Sequence, residues 1–291
     1  MNATKDSAPL FSLDGRQISC VQQTAAQKND LLQWALARVR EGVPGAAAVP
    51  DGYAVPGRRA PAAGGIGTLG ERTLHAALKY CYEPDDRFHE IPMQGFVADI
   101  ARPDTVIEIQ TGGFYPLRKK LPALLGCGPV KVVHPLAVQK RIVWVDPETG
   151  ELSDPRRSPR PDAITDVLPE LFWLLELLEE PGLCFELPLL AIDEYKLKDG
   201  VGADRKKHAT RYERIPTGWL GSISLAEPAD YAALMPPQLP QIFTAAECAK
   251  ALKLRGRRAS AALRVLQAVG AVRRTGGLRG RAYLYEKTQG I

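Results

Sequence analysis

Two carboxylates stand at a spacing that favours chemistry in the segment GFVADIARPDTVIEIQTGG. If Pro103 and Asp104 form the turn of a two-residue hairpin, Asp99 lies directly opposite Glu108 on the neighbouring strand. Cross-strand neighbours have Cβ atoms about 5 Å apart, and like charges at that separation repel each other. The spacing therefore predicts a divalent cation between the two carboxylates.

The chemistry that such a pair supports is hydrolysis of a phosphodiester bond. Oxygen ligands suit Mg²⁺ or Mn²⁺, which neutralise a scissile phosphate and help to activate the attacking water. Gln110 follows Glu108 by two residues, shares its face of the strand and is able to orient a water, but it carries no charge. We therefore expect the positive charge of the catalytic site to come from Lys119, Lys120 or Arg118 in FYPLRKKL.

The elements that must position these residues follow a simple order. The sequence predicts a helix through TLHAALKYCY, strands at HEIPM, GFVADI and TVIEIQT, a helix at FYPLRKKLPALL and a strand at VKVVHPL. Alternation along the hairpin directs Ala98, Ile100, Ile107 and Ile109 into a core. Farther along, we expect a hairpin at RIVWVDPETGEL, a helix centred on LPELFWLLELL, a strand at FELPLLAIDEYKL and a basic loop at KLKDGVGADRKKHATRYERIP.

This arrangement resembles the PD-(D/E)xK, or restriction-endonuclease-like, superfamily. The resemblance covers the first predicted helix through the strand VKVVHPL and implies an α/β (α+β) fold with an αβββαβ core. It implies that Asp99 and Glu108 bind the metal and that the backbone carbonyl of Ile109 is a further ligand. Many members add an acid from the first helix, and Glu71 has that position here.

One departure from the superfamily pattern leaves the activity open. Gln110 stands where the pattern has lysine. Some restriction enzymes with the same E-x-Q pattern are active, whereas other members have lost catalysis. Three functions are therefore weighed: a metal-dependent DNA nuclease, a non-catalytic DNA-binding regulator on a degenerate nuclease-like scaffold, and an RNA-processing nuclease.

The C-terminal region concentrates the positive charge of the chain. Residues 241–291 contain eleven Lys and Arg against two Glu, whereas the rest of the chain has a net charge of −4. Thr244 and Glu247 have the spacing of a capping box before the helix AAECAKALKL, and a second helix, ASAALRVLQAVG, and two short strands follow. This unit resembles a winged helix, and a basic unit of this kind usually binds nucleic acid. The resemblance implies contacts with duplex DNA from the second helix and the wing, at Arg257, Arg258, Ser260, Arg264, Arg273, Arg274, Arg279 and Arg281.

The domain organisation follows from these patterns. We expect an N-terminal helical appendage at 1–41 with its helix at about 25–40, a Pro/Gly/Ala-rich linker at 42–65, a nuclease-like domain at 66–235 and a winged helix at 241–291. Cleavage of both DNA strands usually requires two active sites, so we expect a homodimer.

Other features of the sequence favour a bacterial or archaeal cytoplasmic protein. The sequence has neither a signal-peptide pattern nor a run of apolar residues long enough to span a membrane. The five cysteines are scattered, which favours reduced thiols over a zinc site. The histidines lack metal-ligand spacing and are expected to be structural: His75, His89, His134 and His208. No nucleotide-binding loop of the Walker or Rossmann type is present.

Overall fold

The computed structural model describes residues 12–13, 16–17, 24–40, 72–199 and 209–288. Its helices are α1 (Ala25–Arg40), α2 (Arg72–Tyr82), α3 (Leu117–Leu125), α4 (Val167–Leu171), α5 (Pro228–Ala233), α6 (Ala245–Ala251) and α7 (Gly256–Ala268). Its strands are β1 (Ser12–Leu13), β2 (Arg16–Gln17), β3 (His89–Met93), β4 (Phe96–Ala101), β5 (Val106–Ile109), β6 (Val130–Val133), β7 (Leu136–Val145), β8 (Arg156–Arg157), β9 (Leu183–Leu197), β10 (Thr210–Leu225), β11 (Ile242–Thr244), β12 (Val272–Arg279) and β13 (Ala282–Lys287).

A large mixed sheet organises the main body. Strands β3, β4 and β5 are antiparallel to one another, and β5, β6 and β9 are parallel. Strands β6 and β7 follow each other along one edge of β9, and β10 pairs antiparallel along its other edge. The predicted helix, three strands, helix and strand are therefore present as α2, β3, β4, β5, α3 and β6 within a mixed α/β fold.

The predicted hairpin has the predicted register. The Arg102 N–H donates to the Thr105 carbonyl at 2.9 Å across the turn. Ile100 pairs with Ile107, and the same register places Asp99 opposite the residue after Ile107. The two-residue turn is the physical reason, because it fixes which residues of the two strands face each other.

Apolar layers cover both faces of the sheet. On one face, Leu121 and Leu124 of α3 pack in a cluster with Val130 and Val132 of β6. On the other face lie α1 and α2 with the side chains of three hairpin residues, Ile100, Ile107 and Ile109. Ala98 is also fully buried, so the four predicted core positions of the hairpin are confirmed.

Helix α1 belongs to this second layer. Its bounds agree with the prediction, and Leu32, Ala35 and Val39 are fully buried. They join the cluster formed by α2 and strand β10. The helix predicted as an appendage thus contributes to the core of the main body, while the predicted linker at 42–65 lies outside the described residues.

Three predicted elements differ from the structure. The basic stretch predicted as a loop becomes strand from Thr210 onward, because the long strand β9 offers a continuous antiparallel edge. The single helix predicted over LPELFWLLELL is α4 followed by a 3-10 segment, Phe172–Leu177, with Leu174 at non-helical φ/ψ of −118° and 18°. Beyond the turn at 146–150, only an isolated bridge between Val145 and Leu152 represents the second strand of the predicted hairpin.

The C-terminal unit combines helices with a small sheet. The order of elements is α5, β11, α6, α7, β12 and β13, and the strand order is β11, β13, β12. The predicted capping box is confirmed: the Thr244 N–H donates to Glu247 Oε2 at 2.7 Å, and the Glu247 N–H donates to Thr244 Oγ1 at 3.3 Å. Its buried residues, including Phe243 and Leu266, belong to the same apolar cluster as α3 and β6.

Two further expectations concern cysteines and membranes. The four cysteines that the structure describes are free, and three of them are buried: Cys81, Cys184 and Cys248. Within the described ranges, no helix combines the length and apolar character that crossing a bilayer requires.

Candidate metal centre

Asp99 and Glu108 are linked across strands β4 and β5 through each other's backbone. The Asp99 N–H donates to Glu108 Oε1 at 3.1 Å, and the Ile109 N–H donates to Asp99 Oδ2 at 2.7 Å. From the turn, the backbone pairing of the two strands extends as far as Ile100 and Ile107. Beyond these residues the strands separate, and the carboxylates fill the gap.

A lysine and a histidine from the two flanking helices reach this gap. Lys120 of α3 places its Nζ 2.5 Å from Glu108 Oε2. His75 of α2 places its Nε2 3.2 Å from Asp99 Oδ2. The Glu108 side chain is only 3% exposed. The carboxylate pair is thus held from the sheet and from the helices on both sides of it.

The environment separates the pKa values of the two acids. Burial, and then the nearby charge of Asp99, raise the pKa of Glu108 to about 7 despite the opposing effect of Lys120. Burial acts in the same direction on Asp99. Its hydrogen bond and charge interaction with His75, the Ile109 N–H and the charge of Lys120 outweigh burial and lower the pKa of Asp99. Two adjacent acids with separated pKa values are typical of functional sites.

The chain beyond β5 is fixed by buried contacts. The His134 Nδ1–H donates to the Gln110 carbonyl at 2.6 Å, and Arg214 Nη2 donates to the Thr111 carbonyl at 2.9 Å. Burial lowers the pKa of His134, which favours its neutral form. The Gln110 side chain donates its amide N–H to the Gly113 carbonyl at 2.7 Å. These contacts hold the end of β5 in one conformation beside the carboxylates.

The structure separates the basic residues predicted for catalysis. Lys120 contacts Glu108, whereas Lys119 and Arg118 line a cleft on another face of α3, next to Tyr115. The burial of Leu117, Leu121 and Leu124 explains this division, because Lys120 lies three residues after Leu117 and four before Leu124, on the face that meets the sheet.

The remaining predicted ligands are the Ile109 carbonyl and Glu71. The N–H and C=O of one strand residue lie on the same edge, so the Ile109 carbonyl lies on the edge of β5 that faces Asp99. Glu71 lies outside the described residues. Within the described residues, no group of three or more His, Cys, Asp or Glu side chains is arranged to hold a metal ion.

The donor set nevertheless suits a hard divalent cation. Asp99 Oδ1 has no hydrogen-bond partner among the described residues, and Glu108 contributes two more oxygens. Mg²⁺ is usually bound by one or two carboxylates and keeps several waters. Two carboxylates and one backbone carbonyl therefore fit this ion, with Mn²⁺ as a close substitute.

The predicted DNA-binding residues of α7 are partly engaged with the main body. Arg258 Nη2 lies 2.8 Å from Asp166 Oδ1, and the Arg264 guanidinium lies over the ring of Phe172 at 5.5 Å. Ser260 Oγ donates to the carbonyl of Gly256 at 3.5 Å within the helix. These contacts place one side of α7 against the main body.

The wing carries both paired and unpaired arginines. Arg273 pairs with Glu286 at 2.7 Å, and Arg279 pairs with Glu247 at 2.8 Å. Arg274 stacks on Tyr283, with the guanidinium carbon 3.3 Å from the ring centroid. Arg257 and Arg281 have no carboxylate within 4 Å among the described residues, and both are exposed. Of the residues predicted for the wing and for the start of α7, Arg257, Arg274 and Arg281 therefore belong to the positive charge of this unit that no described carboxylate pairs with.

His75 was missed by sequence reasoning. Like the other histidines, it was expected to be structural. His89 contacts the Glu83 carbonyl at 2.8 Å and His134 the Gln110 carbonyl, so both are bonded to backbone. His75 instead reaches a candidate metal ligand. The one sequence signal for a role of His75 at the site was its position on the helix that precedes the hairpin. The fourth histidine, His208, lies outside the described residues.

The comparisons with known proteins define the family. The model of the family described as a domain of unknown function, DUF8091, matches residues 72–226, more than half of the chain. The chain therefore belongs to this family, and the matched segment contains α2 through β10 with the candidate metal centre. An uncharacterized protein of Treponema pallidum (strain Nichols) is 29% identical over 179 residues, which covers 61% of this chain and 71% of that protein. No solved structure matches the chain.

Proposed function

We propose that this protein is a metal-dependent DNA nuclease that hydrolyses phosphodiester bonds at Asp99 and Glu108. The observation that carries the proposal is the pair of carboxylates at the point where β4 and β5 separate, with Lys120 against Glu108. Two neighbouring carboxylates in a partly buried site repel each other unless a proton or a cation compensates them, and a divalent cation would relieve this repulsion when both are ionised.

The proposed fold class is that of the PD-(D/E)xK superfamily. The order α2, β3, β4, β5, α3, β6 and the parallel pairing of β5 with β6 support it. Asp99 on the second of these strands and Glu108 on the third have the positions of the superfamily's acidic residues. The metal ligands would be the two carboxylates and the Ile109 carbonyl, with Glu71 as a further candidate. A bound Mg²⁺ or Mn²⁺ supplies positive charge beside the scissile phosphate and activates the attacking water.

Lys120 has the role that the superfamily gives to the lysine of its motif. Gln110 has no charge, whereas the Lys120 ammonium contacts the same carboxylate from α3. In this position Lys120 stabilises the negative charge that develops on the phosphate oxygens, as cations beside reacting phosphates do. Gln110 is left to orient water near the strand end, and His75 orients the Asp99 carboxylate.

The C-terminal unit supports DNA as the substrate. Its order of helices and strands agrees with a winged helix, and Arg257, Arg274 and Arg281 provide positive charge that no carboxylate neutralises among the described residues. Phosphate contacts of this kind position a protein on duplex DNA. The contacts of Arg258 and Arg264 with the main body would orient α7 relative to the metal centre.

The non-catalytic regulator is the second candidate, and Gln110 is the observation that favours it. The side-chain amide of Gln110 is bonded to Gly113 and bears no charge toward the phosphate. A regulator would use the same basic C-terminal unit and bind DNA without cutting it.

A cleavage assay tests the proposal. Supercoiled, linear duplex and single-stranded DNA and a single-stranded RNA are incubated with the full chain in Mg²⁺, Mn²⁺ or EDTA. The wild type is compared with Asp99→Asn and Glu108→Gln, and Glu186→Gln serves as the matched control because Glu186 also pairs with a lysine on the sheet. We expect metal-dependent cutting of DNA that both site variants abolish and the control retains. Tight DNA binding without cleavage in either metal would establish the regulator instead, and preferential cutting of RNA would establish the RNA-processing nuclease.

A further inference from the structure

A cleft of about 630 Å³ lies between the start of α3 and the 3-10 segment Phe172–Leu177. Tyr115 and Trp173 stand at its edge with ring centroids 5.0 Å apart and planes at 86°. Both are exposed, Tyr115 by 60% and Trp173 by 42%. Aromatic rings that remain in contact with water at the mouth of a cleft usually mark a binding site.

The charges around these rings are mainly positive, because Arg118 and Lys119 line the cleft against one acid, Glu176. Arg118 lies over Tyr115, with its guanidinium carbon 5.8 Å from the ring centroid, and Lys119 lines the same cleft. Arg264 of α7 lies over Phe172 on the adjoining surface. Among the described residues, none of these three cations has a carboxylate within 4 Å. The combination of bare cations and open ring faces complements a ligand that is both anionic and aromatic.

A second cleft of similar size, about 580 Å³, serves as an internal comparison. Its lining contains no aromatic side chain and includes Asp166 and Asp230 against a single cation, Lys253. An anionic aromatic ligand would be repelled there. Of these two clefts, only the one at α3 combines exposed aromatic rings with an excess of basic side chains.

We propose that this cleft binds an unstacked nucleobase, together with its flanking phosphates, from a nucleic-acid strand that runs to the metal centre. The proposal deepens the proposed function and rests on it for the class of substrate. Lys119 and Lys120 are neighbours on α3, so the cleft and the carboxylate pair lie on adjacent faces of one helix. A base stacked on Trp173 or Tyr115, with its phosphates at Arg118 and Lys119, would hold the strand in register with Glu108.

The test measures binding and not cleavage, so that it stands apart from the nuclease assay. Labelled single strands of DNA and of RNA, a blunt duplex, and the same DNA strand with abasic sites are titrated with the full chain in EDTA. Base stacking on an aromatic residue is lost on substitution by alanine, so Trp173→Ala is expected to weaken single-strand binding by roughly 5- to 150-fold. Trp34→Ala is the matched control, because Trp34 is 44% exposed and also has an edge contact with a tyrosine.

Three further measurements sharpen the result. Trp173→Phe should retain most of the affinity, and Lys119→Gln should reduce the dependence of log affinity on log salt by about 0.7, the value for one phosphate contact on a single strand. Abasic strands should bind the wild type as weakly as intact strands bind Trp173→Ala, a comparison that does not depend on the variant folding. Base-dependent binding of either DNA or RNA supports the proposal that the cleft binds a nucleobase. The strand that binds more tightly shows whether the cleft prefers deoxyribose or ribose.

Equal affinity of the wild type and Trp173→Ala for the intact strand, or equal affinity of the wild type for intact and abasic strands, would overturn the proposal. Base-dependent binding without any metal-dependent cleavage would overturn the proposed nuclease and leave the cleft as a strand-binding site. Metal-dependent cleavage by the wild type, together with unchanged strand binding in Trp173→Ala, would support the proposed nuclease and overturn the strand-binding cleft.

Discussion

Two lysine–glutamate pairs on the same sheet differ in a way that separates function from stability. Lys120 pairs with Glu108 at 2.5 Å, and Lys131 pairs with Glu186 at 3.2 Å. Both lysine side chains are 19% exposed, and both glutamates lie on parallel strands joined through β6. Glu108 differs in accepting a hydrogen bond from the backbone N–H of Asp99, whose carboxylate adds a second acid beside the Lys120–Glu108 pair.

The comparison teaches that burial and pairing alone do not define the candidate site. Removal of one partner from a lysine–glutamate pair leaves a charge without compensation, whereas a second acid beside such a pair favours the binding of a proton or a cation. The charge of Asp99 adds to the effect of burial in raising the pKa of Glu108, while His75, the Ile109 N–H and Lys120 lower the pKa of Asp99. The variants below test whether the two pairs have these different roles.

The largest expected effect comes from exchanging each lysine for methionine. Lys120→Met should reduce the rate of DNA cleavage at saturating metal by about 10²- to 10³-fold, because it removes positive charge beside the reacting phosphate. Lys131→Met should leave the cleavage rate within about twofold and instead lower the free energy of unfolding, because the partly buried Glu186 loses its lysine partner. An equal loss of cleavage rate in Lys120→Met and Lys131→Met, at equal stability, would contradict a catalytic role that is particular to Lys120.

The next effect is on the pH dependence of metal binding. Protonated Glu108 does not bind a cation, so Mn²⁺ affinity should rise by up to about tenfold per pH unit toward pH 7 and level off above it. Calorimetric titration between pH 5.5 and pH 8.5, values chosen to bracket roughly that pKa, measures the slope. Asp99→Asn should weaken binding at every pH. A slope that is unchanged in Glu108→Gln would show that another group competes with the metal.

A smaller effect separates the two glutamates in the metal-free protein. In EDTA at a pH well above 7, Glu108→Gln should raise the free energy of unfolding by about 1–2 kcal/mol, because the neutral amide avoids the cost of burying a charge and relieves repulsion from Asp99. The pKa of Glu108 in the folded protein is above its ordinary value, so ionisation of Glu108 destabilises the fold. The free energy of unfolding contributed by the protonated carboxyl is therefore lost as pH rises from about 4.5 to about 7. Glu186→Gln should lower the free energy of unfolding by about 1–3 kcal/mol. If denaturant titrations show that both variants change the free energy of unfolding in the same direction, the two glutamates do not differ in their effect on stability.

The smallest expected effect extends the comparison to the wing. Arg281→Gln should reduce the slope of log affinity against log salt on duplex DNA by about 0.9, the value of one phosphate contact. Arg273→Gln should change it less, because Glu286 already neutralises Arg273. Salt-dependent anisotropy measurements compare the two variants. An equal reduction of the salt slope in both variants would show that Glu286 does not weaken the contact of Arg273 with a phosphate.

The sequence was sufficient for local relationships in the site. Period-two alternation and the turn at Pro103 determined the register that sets Asp99 against Glu108, since both are local constraints. Helical periodicity also separates Lys120 from Lys119, because Leu117 and Leu124 mark the buried face of α3 and Lys120 lies on that face. We expected a contribution from either lysine without using that periodicity.

Other relationships depend on tertiary packing and could not be read from local patterns. His75 reaches Asp99 only because α2 packs on the hairpin. Thr210 onward was predicted as a loop from its charge, yet the long edge of β9 pairs with it over its full length. Arg258 and Arg264 were predicted to face DNA, and only the packing of α7 on α4 reveals their contacts with Asp166 and Phe172.

Calorimetric titration of Mn²⁺ into the full chain, with wild type, Asp99→Asn and Glu186→Gln compared above pH 7, tests the central claim most directly. We expect the wild type and Glu186→Gln to bind Mn²⁺ alike and Asp99→Asn to lose at least about tenfold in affinity, since a ligand and its charge are removed. Folded wild-type protein that binds no Mn²⁺, or binding that Asp99→Asn leaves intact, would contradict a metal centre at these carboxylates.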